Sequence, residues 1–151
     1  MNKQKELELK KIIMDKIVVI MPTYNEASNI GLMIEELVGL EFPKIIDAEM
    51  LLLVVDDNSP DGTGSVVKDY MKKYKNVHLL VGEKKGLGWA YIRGMRYAVK
   101  MLGADAVIEM DADFQHDPVY VRRLVDAYLN GADYVIGSRY IKGGSIPKSW
   151  A

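Results

Sequence analysis

The sequence predicts an α/β domain: a doubly wound, mostly parallel sheet with helices on both faces. Three observations carry that expectation. Short unbroken apolar runs rich in Val, Ile and Leu recur, as at residues 17–21 and 50–55, which is how strands buried on both faces read. Between them lie longer segments whose apolar residues recur at three and four, the spacing of one helix face. The apolar runs end in polar clusters, and open α/β sheets bind ligands outside the carboxyl ends of their strands. Strands alternating with helices imply right-handed crossovers and therefore parallel strands.

In chain order, residues 1–15 mix Lys and Glu with Leu7, Leu9, Ile12 and Ile13. This is a partial helical stripe, read as an amphipathic lead-in; a solvated tail and a membrane-surface helix are the alternatives. Residues 17–21 form a β-branched strand stopped by Pro22. Asn25 or Ser28 is expected to cap the next helix, whose apolar positions are Ile30, Met33, Ile34, Leu37 and Val38. A second strand, 50–55, runs into the acidic turn Asp56-Asp57-Asn58-Ser59-Pro60-Asp61-Gly62. Thr63 opens a helix to about Tyr74; a strand at 77–81, a helix at 86–102, a strand at 106–110 and a helix from about 118 to 129 follow. A fifth strand is expected at 134–137, so that residues 16–151 make one domain. The segment after Ser138 carries Gly143, Gly144 and Pro147 and closes with neither helix nor strand. The natural protein is therefore expected to continue past Ala151.

Composition excludes several classes of function. A chain of 151 residues with 20 Lys and Arg against 21 Asp and Glu has a net charge of -1, which gives no global pull toward nucleic acid. Without cysteine there is neither a disulfide nor a thiolate metal site, so metal ligands must be oxygen or histidine. The lack of cysteine agrees with a cytoplasmic location. No apolar run approaches the roughly 18 residues of a membrane span, and the N-terminus is charged where a secretory signal would be apolar. No Ser-His-Asp or Cys-His arrangement supports acyl transfer.

The chemistry concentrates at Asp111-Ala112-Asp113-Phe114-Gln115, where the fourth strand leaves the sheet. Carboxylates at i and i+2 on an extended segment point the same way, and Gln115 adds a neutral oxygen. Three oxygen donors suit Mg2+ or Mn2+, hard cations that keep positions open for water and substrate phosphates. Taken alone, Asp-Ala-Asp is better explained as a solvated turn whose acids cap the helix near Pro118. The company it keeps argues otherwise. Pro22-Thr23-Tyr24-Asn25-Glu26 and Asp56-Asp57-Asn58-Ser59 end two other strands, and parallel strands place all three clusters on one rim. Tyr24 can stack on a base, and Glu26 and Asp57 can accept hydrogen bonds from base or ribose. Arg139 follows the expected fifth strand, within reach of a phosphate on that rim. Gly86-Leu87-Gly88 reads as a helix-entry turn, His116 as a loop residue and His78 as structural.

These stretches resemble the dolichyl-phosphate mannose synthases, a branch of the inverting family 2 glycosyltransferases with the GT-A fold. The likeness rests on Met21-Pro-Thr-Tyr-Asn-Glu26, Val54-Val-Asp-Asp-Asn-Ser-Pro-Asp-Gly-Thr63, Gly86-Leu-Gly-Trp-Ala-Tyr-Ile-Arg-Gly94, Met110-Asp-Ala-Asp-Phe-Gln-His116 and Gly137-Ser-Arg-Tyr140. It implies transfer of mannose from GDP-mannose to dolichyl or another polyprenyl phosphate, with inversion, by a metal-dependent enzyme peripheral to the cytoplasmic face of a membrane. By the same likeness Pro22, Tyr24, Glu26, Val55 and Asp57 would hold the guanosine. Asp111, Asp113 and Gln115 would hold the metal, the Ala112 main chain would lie near the ribose or diphosphate, and Arg139 would face the phosphates. Asp113 and Arg139 are the candidate catalytic residues. A family 2 transferase using a UDP-sugar and a nucleotide-sugar-binding subunit without turnover are the rival readings. The family places a further arginine and part of its acceptor surface beyond the last residue of this chain.

Overall fold

The computed structural model describes Asn2, Lys5 and residues 14–146; the lead-in helix expected at 1–15 lies almost wholly outside the described residues. Four parallel strands form the sheet in the order β3-β2-β1-β4. They are β1 (Lys16–Thr23), β2 (Glu49–Asp56), β3 (Val77–Val81) and β4 (Ala106–Glu109). Helix α1 (Ile30–Ile34) widens into a π-type turn over Glu35–Glu41 and ends in a 3-10 turn at Phe42–Lys44. Helix α2 (Thr63–Lys73) joins β2 to β3, and α3 (Leu87–Tyr97), prolonged by a π-type turn at Ala98–Leu102, joins β3 to β4. A 3-10 turn at Pro118–Tyr120 leads into α4 (Val121–Leu129).

The apolar runs are buried because both faces of the sheet are covered. Ile17, Val18, Val19, Ile20 and Met21 are each no more than 1% exposed, and full burial of one such side chain is worth about 1.5–3 kcal/mol as an upper estimate. Alternate residues of β1 and β2 feed two cores. Ile17, Val19, Met21, Leu52 and Val54 pack with Met33, Leu37, Val67, Val121 and Val125 from α1, its π-type turn, α2 and α4. Val18, Ile20, Leu53 and Val55 pack with Ala90 and Ala98 of α3 and its extension. Gly94 sets how closely α3 lies on the sheet, because a Cβ there would come within 2.6 Å of Ile20 Cγ2 and 2.9 Å of Val55 Cγ2.

Two expectations are corrected. No strand forms at 134–137 among the described residues; Tyr134 is 83% and Ile136 70% exposed. The segment has strand-forming residues but no partner is paired with it, and propensity without cross-strand packing does not make a strand. Neither Asn25 nor Ser28 caps α1. The residue before the helix is Asn29, which makes no side-chain cap bond but donates its amide to Glu26 Oε2 at 2.9 Å. Asn25 instead sits in a left-handed turn at φ 61°, a conformation asparagine tolerates better than most residues.

Candidate nucleotide-sugar site

Register brings the ends of β1, β2 and β3 level, while β4 stops short of them opposite Ile20. Thr23 of β1 pairs with Asp56 of β2, and Asp56 with Val81 of β3. On the other side Ile20 pairs with Glu109 of β4, and the Met110 amide donates to the Ile20 carbonyl. The loops after all four strands therefore leave the sheet on one rim. Three of them contain a non-glycine residue with positive φ: Asn25 at 61°, Asn58 at 55° and Phe114 at 62°. For a bulky aromatic such as Phe114 this is an outlier, and backbone of this kind persists only where its surroundings hold it.

The β1 and β2 loops are knitted together. Asp56, 2% exposed, accepts from the Thr23 hydroxyl at 3.0 Å, from the Ser59 amide at 3.0 Å and from the Ser59 hydroxyl at 2.6 Å. The Asn25 amide donates to Ser59 Oγ, the Glu26 amide to Thr63 Oγ1 and the Ala27 amide to Asp61, each at 3.0 Å. Asp61 closes its own turn on Thr63, and the bond from the Thr63 hydroxyl, ahead of the Ala27 amide, lowers its pKa. Donors to charged carboxylates are the stronger class of hydrogen bond, so this half of the rim is set before any ligand arrives.

Helix α3 ties the remaining loops to that half. Arg93 Nη2 donates to Asp57 Oδ1 at 2.8 Å, with the Asp57 side chain 9% exposed, and Nη1 donates to the Glu83 carbonyl at 3.1 Å. The guanidinium lies where a side chain at Gly82 would be, 2.5 Å from an added Cβ. Two residues earlier, Tyr91 donates its hydroxyl to Asp111 Oδ1 at 2.9 Å. Burial, then that bond, raises the tyrosine pKa above its usual value, so the Tyr91 hydroxyl keeps its proton and donates at neutral pH. Lys84, after β3, stands 3.2 Å from the centre of the Tyr24 ring, a cation–π contact that covers one face of the ring.

The β4 loop is more open. The Asp111 amide donates to His116 Nδ1 at 3.1 Å, and the Gln115 amide to Asp113 Oδ1 at 3.0 Å. Arg139 reaches the same loop, donating from Nη2 to the Gln115 carbonyl at 2.6 Å, although no strand precedes it. Asp117 rather than Asp111 or Asp113 caps the turn at Pro118, accepting from the Val119 amide; the capping explanation of Asp-Ala-Asp therefore fails. Asp111 Oδ2 and Asp113 Oδ2 take no part in the loop's hydrogen bonds among the described residues. Two carboxylate oxygens from one strand end are a hard-oxygen set that fits a Mg2+ or Mn2+ ion. Among the described residues no cluster of three or more acidic or histidine side chains gathers, so other positions would fall to Gln115, water and ligand oxygens.

The structure thus places Pro22, Tyr24, Glu26, Asp57, Asp111, Asp113, Gln115 and Arg139 along one rim. Two expected residues differ in kind. Val55 is fully buried, its side chain packed beneath α3, and Ala112 is 3% exposed in the core; either can face a ligand only through its main chain. Sequence reasoning passed over Arg93, Tyr91 and Lys84. The signal available was Tyr91 and Arg93 within a helix that begins directly after the rim loop.

Residues 18–151 match the sequence family described as Glycosyl transferase family 2. Over 135 residues the chain is 38% identical to the dolichol-phosphate mannosyltransferase of Pyrococcus furiosus, covering 89% of this chain and 36% of that protein. Over 137 residues it is 39% identical to the polyprenol monophosphomannose synthase of Mycolicibacterium smegmatis, covering 89% of this chain and 49% of that one. The chain spans between about a third and a half of the length of these curated relatives. The crystal structure of mannosyl-3-phosphoglycerate synthase from Rubrobacter xylanophilus superposes with a TM-score of 0.60 at 22% identity, over 86% of this chain and 39% of that one. At that identity the likeness speaks for the fold alone.

Proposed function

The chain belongs to glycosyl transferase family 2, and from that premise we propose that it is the donor-binding part of an enzyme moving mannose from GDP-mannose to dolichyl or another polyprenyl phosphate. One observation carries this reading: the loops after β1, β2 and β4 meet on one rim, with buried Asp57 at one end and the open carboxylates Asp111 and Asp113 at the other. Named relatives that act on polyprenol or dolichol phosphate support the choice of acceptor.

In this reading Pro22, Tyr24, Glu26 and Asp57 hold the guanosine, with the Val55 main chain beside it. Asp57 Oδ2 accepts from a base or ribose donor while Oδ1 is held by Arg93. Asp111, Asp113 and Gln115 would hold Mg2+ or Mn2+, and the Ala112 main chain lies by the ribose or diphosphate. A bound divalent ion would supply neutralisation of the leaving diphosphate. Arg139 adds a cation to the same end and stabilises charge as it builds on GDP. The acceptor is a phosphate monoester, whose second ionisation falls near pH 6, so it is already a nucleophile at neutral pH and needs no protein base. Its oxygen attacks the anomeric carbon, the carbon–oxygen bond to GDP breaks with its electron pair leaving on GDP, and the configuration inverts. Membrane-borne acceptor places the enzyme at a membrane surface, on the cytoplasmic face in this reading. No helix among the described residues is long and apolar enough to cross the bilayer.

Calorimetric titration with GDP and UDP, each with and without Mg2+ or Mn2+, tests the site; tighter, metal-dependent binding of GDP is expected, and a preference for UDP overturns the donor. Transfer of labelled mannose to a polyprenyl phosphate tests the reaction. In an enzyme that turns over, Arg139→Ala should slow transfer by roughly 100-fold with GDP still bound, the scale of losing one transition-state donor. Loss of GDP binding with the fold intact would instead make Arg139 a binding residue.

A further inference from the structure

Among the described residues, α3 and its extension are the helical elements packed on the second core's face of the sheet, and their outer surface differs from that of α1. Ala90, Gly94 and Ala98 face the core, so the opposite stripe carries Trp89, Ile92, Arg96, Val99 and Lys100 at helical spacing. On that stripe Trp89 is 43%, Ile92 42% and Val99 57% exposed. From Lys84 to Ala104 the sequence has Lys84, Lys85, Arg93, Arg96 and Lys100 and no Asp or Glu. Arg93 is committed to Asp57, Lys84 to Tyr24 and Lys85 to Glu83; Arg96 and Lys100 form no ion pair among the described residues. The contrast is with α1 and its π-type turn, where exposed Leu32 and Leu40 share the element with Glu35, Glu36 and Glu41.

We propose that this stripe is the face that docks on an anionic membrane surface. Trp favours the headgroup level of a bilayer, where its ring is apolar and its N–H stays wet. Exposed Ile92 and Val99 add apolar area beside Trp89, and Arg96 and Lys100 are attracted to an anionic leaflet. The charge sign, not the apolar area alone, selects lipid over a second copy of the chain, since two such stripes would repel. The same helix delivers Tyr91 to Asp111 and Arg93 to Asp57, so docking on it would bring the rim to the bilayer. That consequence rests on the reading given under Proposed function; the docking itself does not.

The test uses the full chain carrying Trp150→Phe, which leaves Trp89 as the single indole of the two in the sequence. Vesicles of phosphatidylcholine, with and without phosphatidylserine, are titrated while Trp89 emission and its quenching by brominated lipid are followed. Expected are binding selective for phosphatidylserine, a blue shift and quenching. Sedimentation with the same vesicles should fall by roughly tenfold or more in Trp89→Ser with Ile92→Ser, and similarly in Arg96→Glu with Lys100→Glu. Circular dichroism confirms that each variant is folded. An unshifted indole, vesicle affinity unchanged by the apolar pair, or a dimer that dissociates when Trp89 is replaced would each overturn the proposal. GDP titration on the same samples separates the two readings: vesicle binding without nucleotide binding removes the donor site and leaves the docking face, and the reverse outcome does the opposite.

Discussion

The two ends of the rim are built in opposite ways. At the β1–β2 end Asp56 and Asp57 are buried and each finds protein donors: the Thr23 hydroxyl and Ser59 for the first, Arg93 for the second. At the β4 end Asp113 and Gln115 are exposed, Asp111 is half-buried, and each carboxylate spends one oxygen locally and presents the other. The protein completes the first end by itself, whereas the second is left to be completed by what binds. A half that must recognise a shape gains from being fixed beforehand, and a half that must take a cation and a pyrophosphate gains from open oxygens.

Four substitutions test that contrast, in descending order of their effect on stability. Asp56→Ala strands the Thr23 and Ser59 donors in a buried setting and should cost about 2–4 kcal/mol, read from urea unfolding; a loss within experimental scatter would show that the β1–β2 end is not held by this carboxylate. Arg93→Met leaves Asp57 buried without its cation and should cost about 2–3 kcal/mol, with a weaker affinity for GDP. If affinity falls equally in the Asp57→Asn background, Arg93 does not act through Asp57. Tyr91→Phe removes one hydrogen bond to a carboxylate and should cost about 1 kcal/mol, with only a small change in GDP affinity by calorimetry. Asp113→Ala should leave stability within about 0.5 kcal/mol, as surface changes do, yet abolish the metal dependence of GDP binding; a large stability loss would mean that this end too is scaffold.

The same contrast explains what could be read from the chain beforehand. Expected strands at 17–21, 50–55, 77–81 and 106–110 agree with β1 to β4 to within two residues at either end, because a run buried on both faces is apolar without interruption. The open end of the rim drew notice through its company, since three acidic or aromatic clusters at the ends of parallel strands fall on one edge of the sheet. The prearranged end was harder. Arg93 stands within the Gly86–Gly94 stretch without a role of its own, because its partner lies 36 residues away in sequence and nothing local announces the pairing. The π-type turns after α1 and α3 were equally silent, since they depend on how each helix is seated. The strand expected at 134–137 failed for the converse reason, its apolar residues satisfying the local pattern while the pairing is missing.

The tight seat of α3 at Gly94 yokes distant parts of the molecule. Arg93 precedes that glycine directly, and Tyr91 lies within one turn of it, so one lever carries the anchors of both acidic ends. A methyl group added at Gly94 would push the rod outward from Ile20 and Val55 and slacken both anchors in a single displacement. Tolerance to change on this helix should therefore be lowest along its hidden underside.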